Sequence, residues 1–145
     1  MRSLFIFAVL LLCGCASDPL LDVKGNRNED PAYPHTSREY ELVCRAAIAA
    51  QFNRPLNIIR ADPRYEDGPT GPIVTMRYIR PDDNTMWVNR AFLRGNQVVW
   101  ATETGRWRVD ARDEVITYEI NRASKQLTIR ITYGPGSVSE NTFEL

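Results

Sequence analysis

The sequence predicts an α+β fold, with one N-terminal amphipathic helix packed on a meandering antiparallel sheet of five or six strands, and three observations lead there. One helical period occurs, where Tyr40, Val43, Cys44 and Ala47 recur at i, i+3, i+4 and i+7. Beyond Pro55 the apolar residues alternate with period two in short runs. Short turns join those runs, which leaves antiparallel neighbours rather than parallel ones.

The helix opens near Thr36, where Thr36 and Glu39 have the spacing of a capping box that satisfies amide donors of the first turn. Its apolar stripe faces one way while Arg38, Glu41 and Arg45 face another. Asn53-Arg54-Pro55 ends it, because the residue before a proline is pushed out of the α region.

Leu56 to Arg60 is the first strand candidate, followed by a long turn through Asp62-Pro63, Asp67-Gly68-Pro69 and Gly71-Pro72. Ile73 to Arg80 sets Val74, Met76 and Tyr78 against Thr75 and Arg77, and Pro81-Asp82-Asp83-Asn84 turns the chain. Met86 to Leu93 and Gln97 to Thr102 flank Arg94-Gly95-Asn96, a hairpin signal. Arg106 to Val109 offers at most a brief pairing. Glu114 to Ile120 then aligns Ile116, Tyr118 and Ile120, and Gln126 to Tyr133 aligns Leu127, Ile129, Ile131 and Tyr133. From Gly134 to Leu145 the chain reads as loop, with at most a short final strand.

The N-terminus follows a different logic. Arg2 precedes an apolar run from Leu4 to Leu12, then Gly14 and Cys15, which is the layout of an export signal. The run is far shorter than the roughly 20 residues of a membrane-spanning helix. Residues 1–14 therefore read as a signal peptide, 15–35 as a tether and 36–145 as one α+β domain. The tether is polar and broken by Asp18-Pro19, Gly25-Asn26, Asn28-Glu29-Asp30-Pro31 and Tyr33-Pro34. Extended at about 3.3–3.6 Å per residue, it would let the domain stand up to about 70 Å from its anchor.

Leu12-Cys13-Gly14-Cys15 resembles the lipobox of bacterial lipoproteins, a small residue followed by the cysteine that is modified. The resemblance covers only the signal and its junction. It implies that Cys15 carries a thioether-linked diacylglyceryl group and an N-acyl chain such as palmitate, and that the partner of the N-terminus is a membrane. Ala16, where lipoproteins kept at the inner membrane usually have Asp, implies an outer-membrane anchor with the domain facing the periplasm. An ordinary secretory cut after Ala16 remains the alternative.

Charge bounds the partners. The 18 basic and 18 acidic side chains balance, and loss of Arg2 with the signal leaves 18 − 1 = 17 basic residues. Such a balance offers no electrostatic footprint for nucleic acid. Cys44, central in the helical stripe, has no partner once Cys13 is removed and Cys15 is capped. It is either buried and inert or available for an intermolecular disulfide.

His35 is the only histidine and falls in the tether, so a Ser-His-Asp site, a Cys-His site or a zinc site with several histidines cannot be built. No phosphate loop, nucleotide fingerprint or paired-cysteine metal motif occurs, and no cofactor or metal is expected. Asp82-Asp83-Asn84 lacks the spaced loop and distal Glu of a calcium site. Asp82, Asp83, Asp110, Asp113 and Glu114 could supply a carboxylate pair for glycan hydrolysis, although Asp is common in turns for backbone reasons. The candidate interaction surface is Arg106-Trp107-Arg108 with Asp110, since Trp and Arg dominate interaction hot spots. Alternation could equally turn Trp107 inward with Val109 and leave the arginines to pair with Asp110, Asp113 or Glu114. Two functions follow. The first is a non-enzymatic binding or accessory module for an envelope protein or cell-wall polymer. The second is a small carboxylate-dependent hydrolase acting on envelope glycans.

Overall fold

The computed structural model describes residues 33–145, so the lipobox, Cys15 and most of the tether lie outside the described residues. A helix, α1 (Ser37–Gln51), is followed by a 3₁₀ turn (Leu56–Ile58) and eight strands. The strands are β1 (Arg60–Ala61), β2 (Glu66–Asp67), β3 (Pro72–Ile79), β4 (Met86–Arg94), β5 (Gln97–Thr102), β6 (Val115–Asn121), β7 (Gln126–Thr132) and β8 (Val138–Glu144). All pairings are antiparallel in the order β1-β3-β4-β5-β6-β7-β8, and β2 pairs separately with β3.

The expected helix on a meander of five or six strands is therefore corrected: the molecule is mostly a curled eight-stranded sheet, a half-barrel, closed around one short helix. Three strands account for the difference in count. Leu56 to Arg60 is mostly 3₁₀ turn, and only Arg60–Ala61 pairs; the long turn that follows contains β2; and the supposed terminal loop contains the seven-residue β8. Arg106 to Val109 forms no strand, although the Arg108 amide donates to the Trp100 carbonyl at 2.9 Å. The curl follows from the inherent right-handed twist accumulating over so many strands. It brings α1 into contact with β1 and with every strand from β3 to β8.

Local chemistry explains the helix and its ends. The Thr36 hydroxyl accepts from the Glu39 amide at 3.1 Å, while the Glu39 carboxylate accepts from the His35 amide at 2.7 Å, one residue before the position a capping box would use. At the C-terminus Asn53 takes φ +49° and the Arg54 amide donates back to the Ala49 carbonyl at 2.8 Å, which stops the helix before Pro55. The buried face is wider than the four-residue stripe, because Ala46, Ile48 and Ala49 are also buried beneath the wrapping sheet. Arg45 is likewise not given to solvent: its guanidinium donates to the carbonyls of Ile59 and Leu56 and tacks the 3₁₀ turn to α1. Cys44 is fully buried and its thiol is pushed up by desolvation, which makes it inert.

The concave face carries the main core: Val74, Met76 and Tyr78 of β3, Ala91 and Leu93 of β4, Val98 and Trp100 of β5, and the alternating sets of β6 and β7. Each large side chain so buried contributes roughly 1.5–3 kcal/mol. A second, small cluster lies on the convex face, where Ile73, Phe92 and Val99 are covered by Trp107.

Candidate functional site

Strand direction gives the half-barrel two unlike ends. At one end lie the start of α1 and the short connections 95–96 and 122–125. Here Tyr33 and Pro34 are buried, and the Arg122 guanidinium donates to the Tyr33 carbonyl at 2.9 Å and to Glu39 at 2.8 Å. The chain thus joins the domain at this end. At the other, distal end lie Phe52 and the connections 80–85, 103–114 and 133–137.

Six large apolar side chains are exposed among the described residues: Ile79, Met86, Val109, Val115, Tyr133 and Val138. They stand at the end of β3, the start of β4, in the β5–β6 loop, at the start of β6, just after β7 and at the start of β8. Ile79, Met86, Tyr133 and Val138 are distal. Singly exposed apolar residues need no explanation, but the gathering of four of them at one end does.

The sequence-predicted surface falls in the same region, with a different geometry. Trp107 packs edge-on against Phe92 with centroids 4.9 Å apart, and the Arg90 guanidinium lies over its ring at 4.9 Å. The ring is thus a cover for the convex cluster. Arg106 grips Asp113 through two 2.7 Å hydrogen bonds and reaches Asp110 at 3.2 Å. Arg108 lies over the Trp100 ring and within 3.7 Å of both Asp113 and Glu114. Structure therefore brings Arg106, Arg108 and Asp110 into one ion-pair network and sets Trp107 apart from it on the convex side.

The other candidate carboxylates are similarly engaged. Asp82 accepts from Arg54 at 2.6 Å, and Glu114 accepts from the Trp100 indole at 2.8 Å. Asp83 bonds Arg80 and accepts from the Thr85 amide and hydroxyl, which is turn chemistry. The hydrogen bond from Arg106 holds the Asp113 carboxyl well below its ordinary range, and Arg80 does the same for Asp83. A general acid requires the opposite shift. Among the described residues no group of three or more His, Cys, Asp and Glu could hold a metal ion.

Because the Asp113 pKa is lowered on folding, its contribution to stability is present above the unfolded value of 3.8 and is lost as pH falls below that value. Acidification is therefore expected to loosen the β5–β6 loop before the sheet. The readout is hydrogen-exchange protection of the Arg108 amide, which should fall on acidification while that of Ile129 persists. Asp113→Asn should lower Arg108 protection already at neutral pH, and equal protection in that variant would disprove the link.

Sequence reasoning did not find the distal apolar rim or the hollow of about 540 Å³ beside it between Ile58 and the β3–β4 hairpin. It also missed Asn89, fully buried on the concave face with neither side-chain amide atom meeting a protein partner. The features together define a helix-filled antiparallel half-barrel with one polar end, where the chain joins, and one apolar-rimmed end. No family model, no curated protein and no solved structure matches this chain.

Proposed function

We propose that this protein is a lipid-anchored, periplasm-facing lipoprotein of the bacterial outer membrane whose domain docks an envelope partner through its distal end. The observation that carries the docking surface is the collection of four exposed large apolar side chains, Ile79, Met86, Tyr133 and Val138, at the end opposite the point where the chain joins the domain. Several charges around the rim are paired within the molecule, as in Arg54–Asp82, Arg80–Asp83 and Arg106–Asp113. Apolar contacts bordered by already satisfied polar groups are the composition of a protein-docking patch. The lipid anchor rests on the lipobox residues alone. No comparable observation favours glycan hydrolysis, since the turn carboxylates are committed to arginines.

The test is photo-crosslinking in the bacterial envelope, with a photoreactive residue placed in the full chain at Met86, Tyr133 or Val138, and at Asn96 or Ser124 as controls. The distal positions should give a discrete crosslinked species that the controls do not. Crosslinks confined to Asn96 and Ser124, or none from any distal position, would overturn the reading.

A further inference from the structure

At the distal end β3 loses its outer neighbour. β1 pairs with β3 only through Arg60↔Arg77 and Ala61↔Met76. Before Arg60 the chain is held off the sheet by Pro55 and the 3₁₀ turn, which the Ile59 amide closes on the Leu56 carbonyl at 3.1 Å. Had β1 extended backwards, Ile59 and Ile58 would lie beside Tyr78 and Ile79. Instead a wedge opens there, the hollow of about 540 Å³, with Ile58 on one side, Tyr78, Ile79 and Met86 on the other, and Arg60 and Arg77 also lining it. That volume is within the roughly 300–1,000 Å³ of ordinary ligand sites.

Three properties of the wedge define what would fill it. It is apolar, since Ile79 and Met86 are cross-strand partners and remain 52% and 61% exposed. It is cationic, since Arg60 and Arg77 stand directly opposite one another, an arrangement that like charges disfavour. Asp62 neutralises Arg77 at 2.7 Å, but among the described residues Arg60 has no carboxylate partner. It is also bordered by a strand edge, because β1 stops opposite Arg77 and leaves the backbone of Ile79, the next residue of β3 to face that side, uncovered.

We propose that the wedge binds an extended segment of a partner protein, one carrying a carboxylate side chain within a residue or two of an apolar side chain, laid along β3 as a short added strand. The inference rests on the distal end being the docking face. Strand addition supplies backbone hydrogen bonds, Ile79 and Met86 receive the apolar side chain, and Arg60 receives the carboxylate. A fatty-acid carboxylate would match the apolar and anionic chemistry but has no backbone to offer Ile79.

The experiment is selection from a displayed random heptapeptide library against the full chain, in parallel with Arg60→Glu and Ile79→Asp variants. Both positions are exposed, and retained circular dichroism would establish that the variants fold. Enriched peptides should place Asp or Glu next to Val, Ile, Leu or Phe, and should bind each variant at least tenfold more weakly. Enrichment of basic peptides, no enrichment, or equal binding to Arg60→Glu would overturn the proposal. So would dodecanoate perturbing the Ile79 and Met86 resonances when no peptide is enriched. If distal crosslinks form as described while the peptide selection fails, this inference alone falls; if the distal crosslinks are absent, both readings fall.

Discussion

Expressed as the full chain in a bacterium, the protein is expected to sediment with membranes, and a Cys15→Ser variant to leave them almost completely. The size of the effect follows from chain number. One acyl chain gives only marginal, reversible binding, whereas each additional chain adds about 0.8 kcal/mol per buried methylene, so three chains make release negligible. Serine cannot form the thioether, and the domain's described residues contain no helix long and apolar enough to cross a membrane in its place. Intact mass provides the decisive readout. A mass of residues 15–145 plus diacylglyceryl and acyl groups, absent from the variant, is the expected result; an unlipidated mass beginning after Ala16 would reduce the anchor to an ordinary secretory signal.

Within the domain the largest effect from a single oxygen is expected at Tyr40, where Tyr40→Phe should cost about 2–6 kcal/mol. The Tyr40 hydroxyl donates to the Pro72 carbonyl at 3.0 Å and accepts from the Leu93 amide at 2.9 Å, so one buried group ties α1 to the start of β3 and the end of β4. Phenylalanine would leave two buried backbone groups unmet, each at roughly 1–3 kcal/mol, with no change in apolar packing. Close approach of the main chain is part of the arrangement, since a Cβ at Gly71 would lie 2.9 Å from that hydroxyl. Urea unfolding should show a lower midpoint with an unchanged slope. A loss below about 1 kcal/mol would mean that the two groups find other partners and that the bridge is not a principal tie.

How much of this was legible depended on whether the signal was local. The hairpin between β4 and β5 could be read because Gly95 takes φ +60°, a conformation its sequence context announces. The period-two runs of β3, β6 and β7 could be read because one face of each is buried and the other is not. β8 could not, because its inward positions are Ser139, Asn141 and Phe143, and a strand at the open lip of a half-barrel has too little core to impress an apolar alternation. The wrap of the sheet was equally hidden, although the four alanines Ala46, Ala47, Ala49 and Ala50 are what let strands approach α1 so closely. The candidate surface was partly legible. The two accounts of Trp107 were both on offer, and packing against Phe92 decides between them. The distal rim was not legible at all, because its members are isolated in sequence and only topology collects them.

The seam between β5 and β6 has a mechanical consequence. The two strands pair only through Gln97↔Thr117 and Val98↔Ile116, whereas β6 and β7 share seven residue pairs. Beyond those two pairs the β5–β6 loop replaces β6 as the neighbour of Trp100. The sheet is thus two leaves on a narrow hinge, β1 to β5 and β6 to β8, with α1 as the spine that both leaves grip. Opening such a hinge would uncover the spine without unzipping either leaf, and a binding partner that spanned both leaves at the distal end would clamp them shut.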